Sequence, residues 1–230
     1  MIENKRLKLI AIFFVIVSVI SIFIVLWQIK SYDRDGSDQN PINLTSTGPI
    51  TAVQGYEKAQ KVAESWREDA TLAGCGSNET VNGTSSTWTY YFYSPSTEHF
   101  FNETLPAVGG GNITVEFVKC DFLIVDIYAN GSSNYNAIDQ KTFPVYARPS
   151  PLKLIIDSDE AYKIAVNNKS IMERIGNRSF NNGIYFKIWK NESVVAICFH
   201  PFPTDVYAPE MYACYVSADT GKVIGIDYYG

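Results

Sequence analysis

The stretch SADTGKVIG contains Asp219-Thr220-Gly221, and a D-T-G tripeptide can do either of two things. In an aspartic-protease site it carries a carboxylate that shares a proton with a second one, each on its own rigid loop. Between two strands it is a turn. Asp opens the turn by bonding to the backbone, and Gly takes the left-handed position that sends the chain back. The acid reading lacks its second carboxylate, because the earlier half of the chain has Lys119-Cys120-Asp121-Phe122 at the comparable place. A second copy of the chain could supply one. Those sites, however, need a small residue after the tripeptide and a long further run of strand. Here Lys222 follows at once, near the end of the sequence. With β-rich flanks on both sides, Asp219-Thr220-Gly221 is expected to be a hairpin turn.

Metal chemistry is the next candidate, on Cys198-x-His200 with Cys214 nearby. Zinc takes four ligands at tetrahedral angles. The chain offers only His99 and His200 and no C-x-x-C pair. Two disulfides account for Cys75, Cys120, Cys198 and Cys214 more simply. Four cysteines allow three connectivities. One bridge within each half gives Cys75–Cys120 and Cys198–Cys214, the second joining strands 194–200 and 211–218. A bridge closing such a short loop contributes about 3 kcal/mol.

Nucleophilic catalysis needs a histidine beside Ser or Cys, oriented by a third group. His200 ends a strand in FHPFP, and His99 lies in the loop TEHFFNET. Gly109-Gly110-Gly111 lacks the lysine and helix of a phosphate-cradling loop. Asp157, Asp159 and Glu160 all fall in the first turn of a helix, where capping and the helix dipole explain them. No catalytic constellation, cofactor site or metal site is expected.

The elements that would position these residues begin with an anchor. From Leu9 to Ile29 the chain is uncharged, with only Ser18, Ser21 and Gln28 polar. A helix of that length spans about 30 Å, a bilayer's hydrocarbon core. A cleaved signal peptide would have a shorter apolar run and a small-x-small cleavage site, whereas this one ends in LWQIKSYDRDG. The expectation is an uncleaved single-pass anchor within residues 1–30. Lys5, Arg6 and Lys8 keep the N-terminus cytoplasmic, with the bulk of the chain outside the cell membrane.

Nine of the 16 asparagines begin N-x-S/T sequons: Asn43, Asn78, Asn82, Asn102, Asn112, Asn130, Asn168, Asn177 and Asn191. Chance would give about two, so these are candidate glycosylation sites on an exported surface. Beyond residue 30 acidic residues outnumber basic ones, which argues against nucleic acid and against adhesion to anionic headgroups.

Residues 31–50 are Ser-, Asp-, Asn- and Gly-rich and read as a flexible stalk. Thr51-x-x-Gln54 forms a capping box, opening a helix with Val53, Tyr56, Ala59, Val62, Ala63 and Trp66 on one face. The period then changes to two in STWTYYFYS (86–94), NITVEFVKC (112–120) and FLIVDIYA (122–129). The order repeats. Asp157-x-x-Glu160 is another capping box, opening a helix with Ala161, Ile164, Ala165, Ile171, Met172 and Ile175 on one face. The strands 183–190, 193–200, 211–218 and 222–229 follow, with Lys190-Asn191-Glu192 as a tight connection. The segment Ala59-Gln-Lys-Val-Ala63 matches Ala161-Tyr-Lys-Ile-Ala165, and Ile124-Val-Asp-Ile-Tyr128 is close to Gly225-Ile-Asp-Tyr-Tyr229.

This pattern predicts an α+β chain: a transmembrane helix, then two cystatin-like units (51–130 and 152–230), each one helix packed on an antiparallel sheet. Residues 131–151 form the linker. Aromatics alternate to both faces of WTYYFYS and IYFKIWK, so the second sheet face either packs one unit on the other or binds a partner. Packing between the units is the expectation.

The A-x-K-[VI]-A helix followed by strands and the closing run Tyr212-Ala-Cys-Tyr-Val-Ser-Ala-Asp-Thr-Gly-Lys-Val-Ile-Gly-Ile resembles the end of a PepSY domain. The likeness covers 157–230 well; over 51–130 it extends only to element order and the helix motif. It implies a cystatin-type fold and, as in propeptides of thermolysin-type peptidases, inhibition or modulation of a peptidase. No peptidase follows in this chain, so its target would be a separate protein. The functional expectation is a non-catalytic, membrane-anchored protein binder. The alternative is a structural or small-ligand-sensing ectodomain of the cell envelope.

Overall fold

A computed structural model of the chain describes residues 48–107, 110–176, 178–201 and 211–229. The expected anchor Leu9–Ile29, most of the stalk, and the sequons Asn43 and Asn177 lie outside them. Among the described residues, no helix is long and apolar enough to cross a membrane.

The architecture is a nine-stranded antiparallel sheet with helices on one face. Helix α1 (Ala52–Trp66) starts at Thr51, whose hydroxyl and Gln54 complete the expected capping box. Strands β1 (Thr71–Thr80), β2 (Thr87–Tyr93), β3 (His99–Pro106), β4 (Asn112–Tyr128) and β5 (Ser133–Pro144) follow. Then come α2 (Ser158–Val166), α3 (Lys169–Ile175), β6 (Phe180–Trp189), β7 (Glu192–Pro201), β8 (Met211–Ser217) and β9 (Val223–Tyr229).

Strands β2 and β3 lie end to end along one side of β4, and β5 lines its other side. From β2 the sheet runs on through β1, β6, β7 and β8 to β9. The halves are therefore joined edge to edge, with Cys75 opposite Phe186 and Gly76 opposite Tyr185. This corrects the expectation that aromatic sheet faces pack the halves against each other. One core serves both, and it gathers Ala59 and Ala63 of α1, Ala161 and Ala165 of α2, and Ile171 and Ile175 of α3. Trp88, Tyr90, Phe92, Leu123, Phe186 and Ile197 meet them from the strands.

Several elements differ from expectation for identifiable reasons. The strand β1 includes Gly74-Cys75-Gly76, because β2 and β6 supply hydrogen-bond partners on both sides of this segment. The segments 112–120 and 122–129 form one 17-residue strand. β5 falls within the expected linker. The second helix is broken at Asn167-Asn168: Asn168 leaves α2 and caps α3, its side chain accepting from the Ser170 and Ile171 amides. The two sheet faces alternate as the aromatic pattern requires, with Trp88, Tyr90 and Phe92 buried under the helices.

Asp157 caps α2 through the Ser158 amide (2.7 Å) and also reaches the start of α1. Its carboxylate accepts from the Val53 amide (3.1 Å) and the Thr51 hydroxyl (2.7 Å), while the Ala52 amide donates to Ser158 Oγ (2.9 Å). Two positive helix ends thus share one carboxylate, a placement the helix dipole favours. At the sheet's other half, Asp121 is buried and paired with Arg67, and accepts from both nitrogens of Gln140.

Lys58 is the exception to this pairing. It is buried, and its Nζ has no hydrogen-bond partner. Burial lowers its pKa, because desolvation penalises the charged form. The unfolded chain therefore holds this proton to higher pH than the folded one does. Lys58→Met is expected to raise stability at pH 7 by about 1 kcal/mol, the cost of an uncompensated polar group. The gap should then narrow as pH rises from the folded pKa toward the ordinary lysine value. Urea melts of both proteins at pH 7 and 9.5 measure it. A less stable Met variant would mean that the ammonium has a partner.

Candidate functional site: the helix-free sheet face

Asp219-Thr220-Gly221 makes the β8–β9 turn. The Ser217 amide donates to Lys222 O (2.9 Å), the Gly221 amide to Ser217 O (3.0 Å), and Gly221 has φ of 64°. Asp219 is exposed.

The cysteines overturn the expected bridges. Cys75, Cys120, Cys198 and Cys214 are all free and buried. Cys75 and Cys214 face the helices, while Cys120 and Cys198 belong to clusters on the opposite face. Cys198 stands opposite Ala213, and Cys214 opposite Ile197. The one-residue offset sends the two sulfurs to opposite sides of the sheet. Cys75 and Cys120 are likewise on opposite faces, with β2 between their strands. Burial pushes all four thiols up: Cys120 and Cys198 to about 11, Cys214 to about 12, and Cys75 well above its usual value. The thiolate is the reactive form. None should therefore react with a disulfide reagent at pH 8 in the native protein, whereas denaturant without reductant should release four thiols. Fewer than four would restore a bridge.

Four strands separate β3, which carries His99, from β7, which carries His200. Among the described residues, no group of three or more His, Cys, Asp or Glu is placed to hold a metal. Asp159 pairs with Lys163 at 2.7 Å, and Glu160 borders an open depression of about 590 Å³ between α2 and the Lys222-Val223 segment.

The chemistry-bearing surface is instead the sheet face that no described helix covers. Trp189 lies parallel on Tyr215, with ring centroids 4.5 Å apart. Lys190 Nζ stands 4.0 Å from the Trp189 ring, and Lys187 Nζ 5.0 Å from that of Tyr215. The hydroxyls of Tyr215 and Tyr229 are 3.1 Å apart, and Tyr229 donates to Asp227 Oδ2 at 3.2 Å. Small floor residues let these rings lie flat: a Cβ on Gly225 would meet Trp189 at 2.9 Å. Across the β1–β6 junction Tyr185 donates to Asn78 Oδ1 at 2.6 Å. Tyr91 continues the row, 37% exposed, and Tyr229 is 46% exposed. Cations over ring faces and wet aromatic rims are features of protein-contact surfaces.

The alternation of Tyr185, Lys187 and Trp189 against Ile184, Phe186 and Ile188 is visible in the sequence. Tyr215 and Tyr229 are not marked by it; their spacing from Gly225 across the final hairpin is the signal that identifies them. Of the sequons, Asn78, Asn82, Asn102, Asn112, Asn130 and Asn191 are exposed, and Asn168 is half-buried as a helix cap.

No family model matches the chain, and no curated protein matches it. Among solved structures, a crystal structure described as a "putative lipoprotein" from Clostridium difficile 630 is similar at a TM-score of 0.39 and 12% identity, covering 83% of this chain and 96% of that one. A likeness this distant carries no functional argument.

Proposed function

We propose that the chain is a non-catalytic, extracytoplasmic protein-binding module, held at the cell membrane by Leu9–Ile29 with a cytoplasmic N-terminus. In this reading two PepSY-like, cystatin-like units, 51–130 and 152–230, share one sheet, and their helix-free face meets a protein partner. Restraint of a separate peptidase is the activity proposed. The observation that carries the reading is the row Tyr91, Tyr185, Trp189 and Tyr229, with buried Tyr215 stacked on Trp189, on a face free of helices among the described residues. Contiguous aromatic surface of this kind marks an interaction site. The alternative, a structural or ligand-sensing envelope ectodomain, draws on the depression beside α2, which is open to water.

The test uses the full chain in its own membrane, with a photo-crosslinking residue at Lys187 on this face or at exposed Lys61 on α1. Enrichment of a peptidase from position 187 alone, followed by its inhibition by residues 31–230, supports the reading. Crosslinks that are equal from both positions, or that reach only structural envelope proteins, overturn it.

A further inference from the structure

The sequon at Asn78 differs from the others in its surroundings. Asn78 is exposed on the helix-free face, at the end of β1, and its Oδ1 accepts the Tyr185 hydroxyl at 2.6 Å. The Tyr185 ring lies over bare backbone, since a Cβ on Gly76 would meet the ring at 2.7 Å and one on Gly183 would meet its hydroxyl at 2.8 Å. A tyrosine that binds Oδ1 leaves Nδ2, the atom that carries an N-linked sugar, free to point outward. Its ring presents a flat apolar surface beside that nitrogen.

We propose that Asn78 carries an N-linked sugar whose first residue lies on the Tyr185 ring, covering the β1–β6 part of the helix-free face. The partner surface then narrows to Trp189 and Tyr229, with Lys187 and Lys190 beside them. The apolar face of a pyranose packs on an aromatic ring and removes both from water. The modification joins Asn78 Nδ2 to the anomeric carbon of a lipid-phosphate-linked oligosaccharide. The bond from that carbon to the phosphate oxygen breaks, the lipid phosphate leaves with the bonding pair, and one amide proton goes to the transferase's base. No atom is oxidised or reduced.

The same geometry sets the order of events. Thr80, the third sequon residue, is buried and donates to Asn182 O at 3.4 Å. A transferase must read this threonine before β1 pairs with β6.

The inference rests on export of the chain, and the experiment separates the two. The protein is purified from its own membrane, and glycopeptide mass spectrometry scores each sequon. Thr80→Val then removes the sequon while leaving Asn78 and Tyr185 in place, in the wild-type and Tyr185→Leu backgrounds. The Thr80–Asn182 bond is lost in both, so the difference between the two Tm losses reports the sugar on the ring. The expected result is a sugar at Asn78 and a Tm lower by about 2–4 °C on losing it, the shift of a modest contact in a chain of this size. That loss should fall by at least half without the Tyr185 ring. If Tyr185→Leu does not fold, nuclear Overhauser contacts between the first sugar and the Tyr185 ring in the wild type decide the point. Their absence overturns the inference. So does an equal Tm loss in both backgrounds, or a bare Asn78 beside occupied sequons. If every sequon is bare, the inference fails and the glycoprotein reading fails with it.

Discussion

Replacing Gly83 with alanine is expected to lower stability by about 3 kcal/mol, which for a chain of this size is a fall in Tm of about 6–12 °C. Two costs add. Gly83 has φ of 84°, a conformation in which a side chain is strained by about 1 kcal/mol or more. Its Cβ would also fall 2.3 Å from Asp159 Cα and 2.6 Å from Ser158 O. Those are backbone atoms in the first turn of α2 and cannot rotate aside, so the turn at residues 81–84 would have to lift away from the helix. Gly110→Ala is the control. Its φ is 96°, yet a Cβ there meets nothing within 4 Å, so it should show the conformational cost alone. Both variants are read by thermal melts. Equal losses would mean that the turn does not rest on α2. The sequon that begins at Asn82 survives the substitution, because its middle position takes any residue except proline. A sugar at Asn82 therefore cannot confound the comparison.

Asp157→Ala is expected to cost about 3–4 kcal/mol, because one carboxylate serves two helices. Losing an ordinary N-cap costs about 1 kcal/mol, and a hydrogen bond to a charged group contributes about 1.5–3 kcal/mol. Here the truncation strands the Ser158 and Val53 amides and the Thr51 hydroxyl together. Asp157→Asn retains one acceptor oxygen and should lose only about 1 kcal/mol. A double-mutant cycle with Thr51→Val, measured by urea unfolding, should give a coupling of about 1 kcal/mol or more. Strict additivity would show that the two helix starts are independent.

These two sites show what the sequence could and could not reveal. Thr51-x-x-Gln54 announced α1, because a capping box is complete within four residues. Asp157 announced the start of α2, but it caps through the Ser158 amide alone, without the capping box seen at α1. The side chain's second role, 106 residues away at Thr51, leaves no local trace. The four strands after residue 180 were legible because each is a run rich in β-branched and aromatic residues, and the β6–β7 and β8–β9 turns carry Asn191 and Gly221. β3 and β5 were not. HFFNETLP and SNYNAIDQKTFP are largely exposed, so no apolar alternation separates them from loop. The disulfide expectation failed on parity. Spacing placed Cys198 and Cys214 on neighbouring strands, but a one-residue difference in register decides which face each sulfur takes. The aromatic face was legible as two-sided alternation. That the described helices all lie on the other face goes with the edge-to-edge join of β1 and β6, which no motif encodes.

That join has a consequence measured in time. Asn78 and Tyr185 are 107 residues apart in sequence. β1 can pair with β2 soon after both are made, but its other edge has no partner until β6 exists. At about 5–20 residues per second during synthesis, roughly 5–20 s pass between the making of the two. Throughout that interval one side of a central strand of the finished sheet is an open edge. Contacts across so long a separation also close late in folding. Any factor that must read the Asn78 segment has its opportunity then, and a chaperone shielding the edge would compete with it for the same seconds.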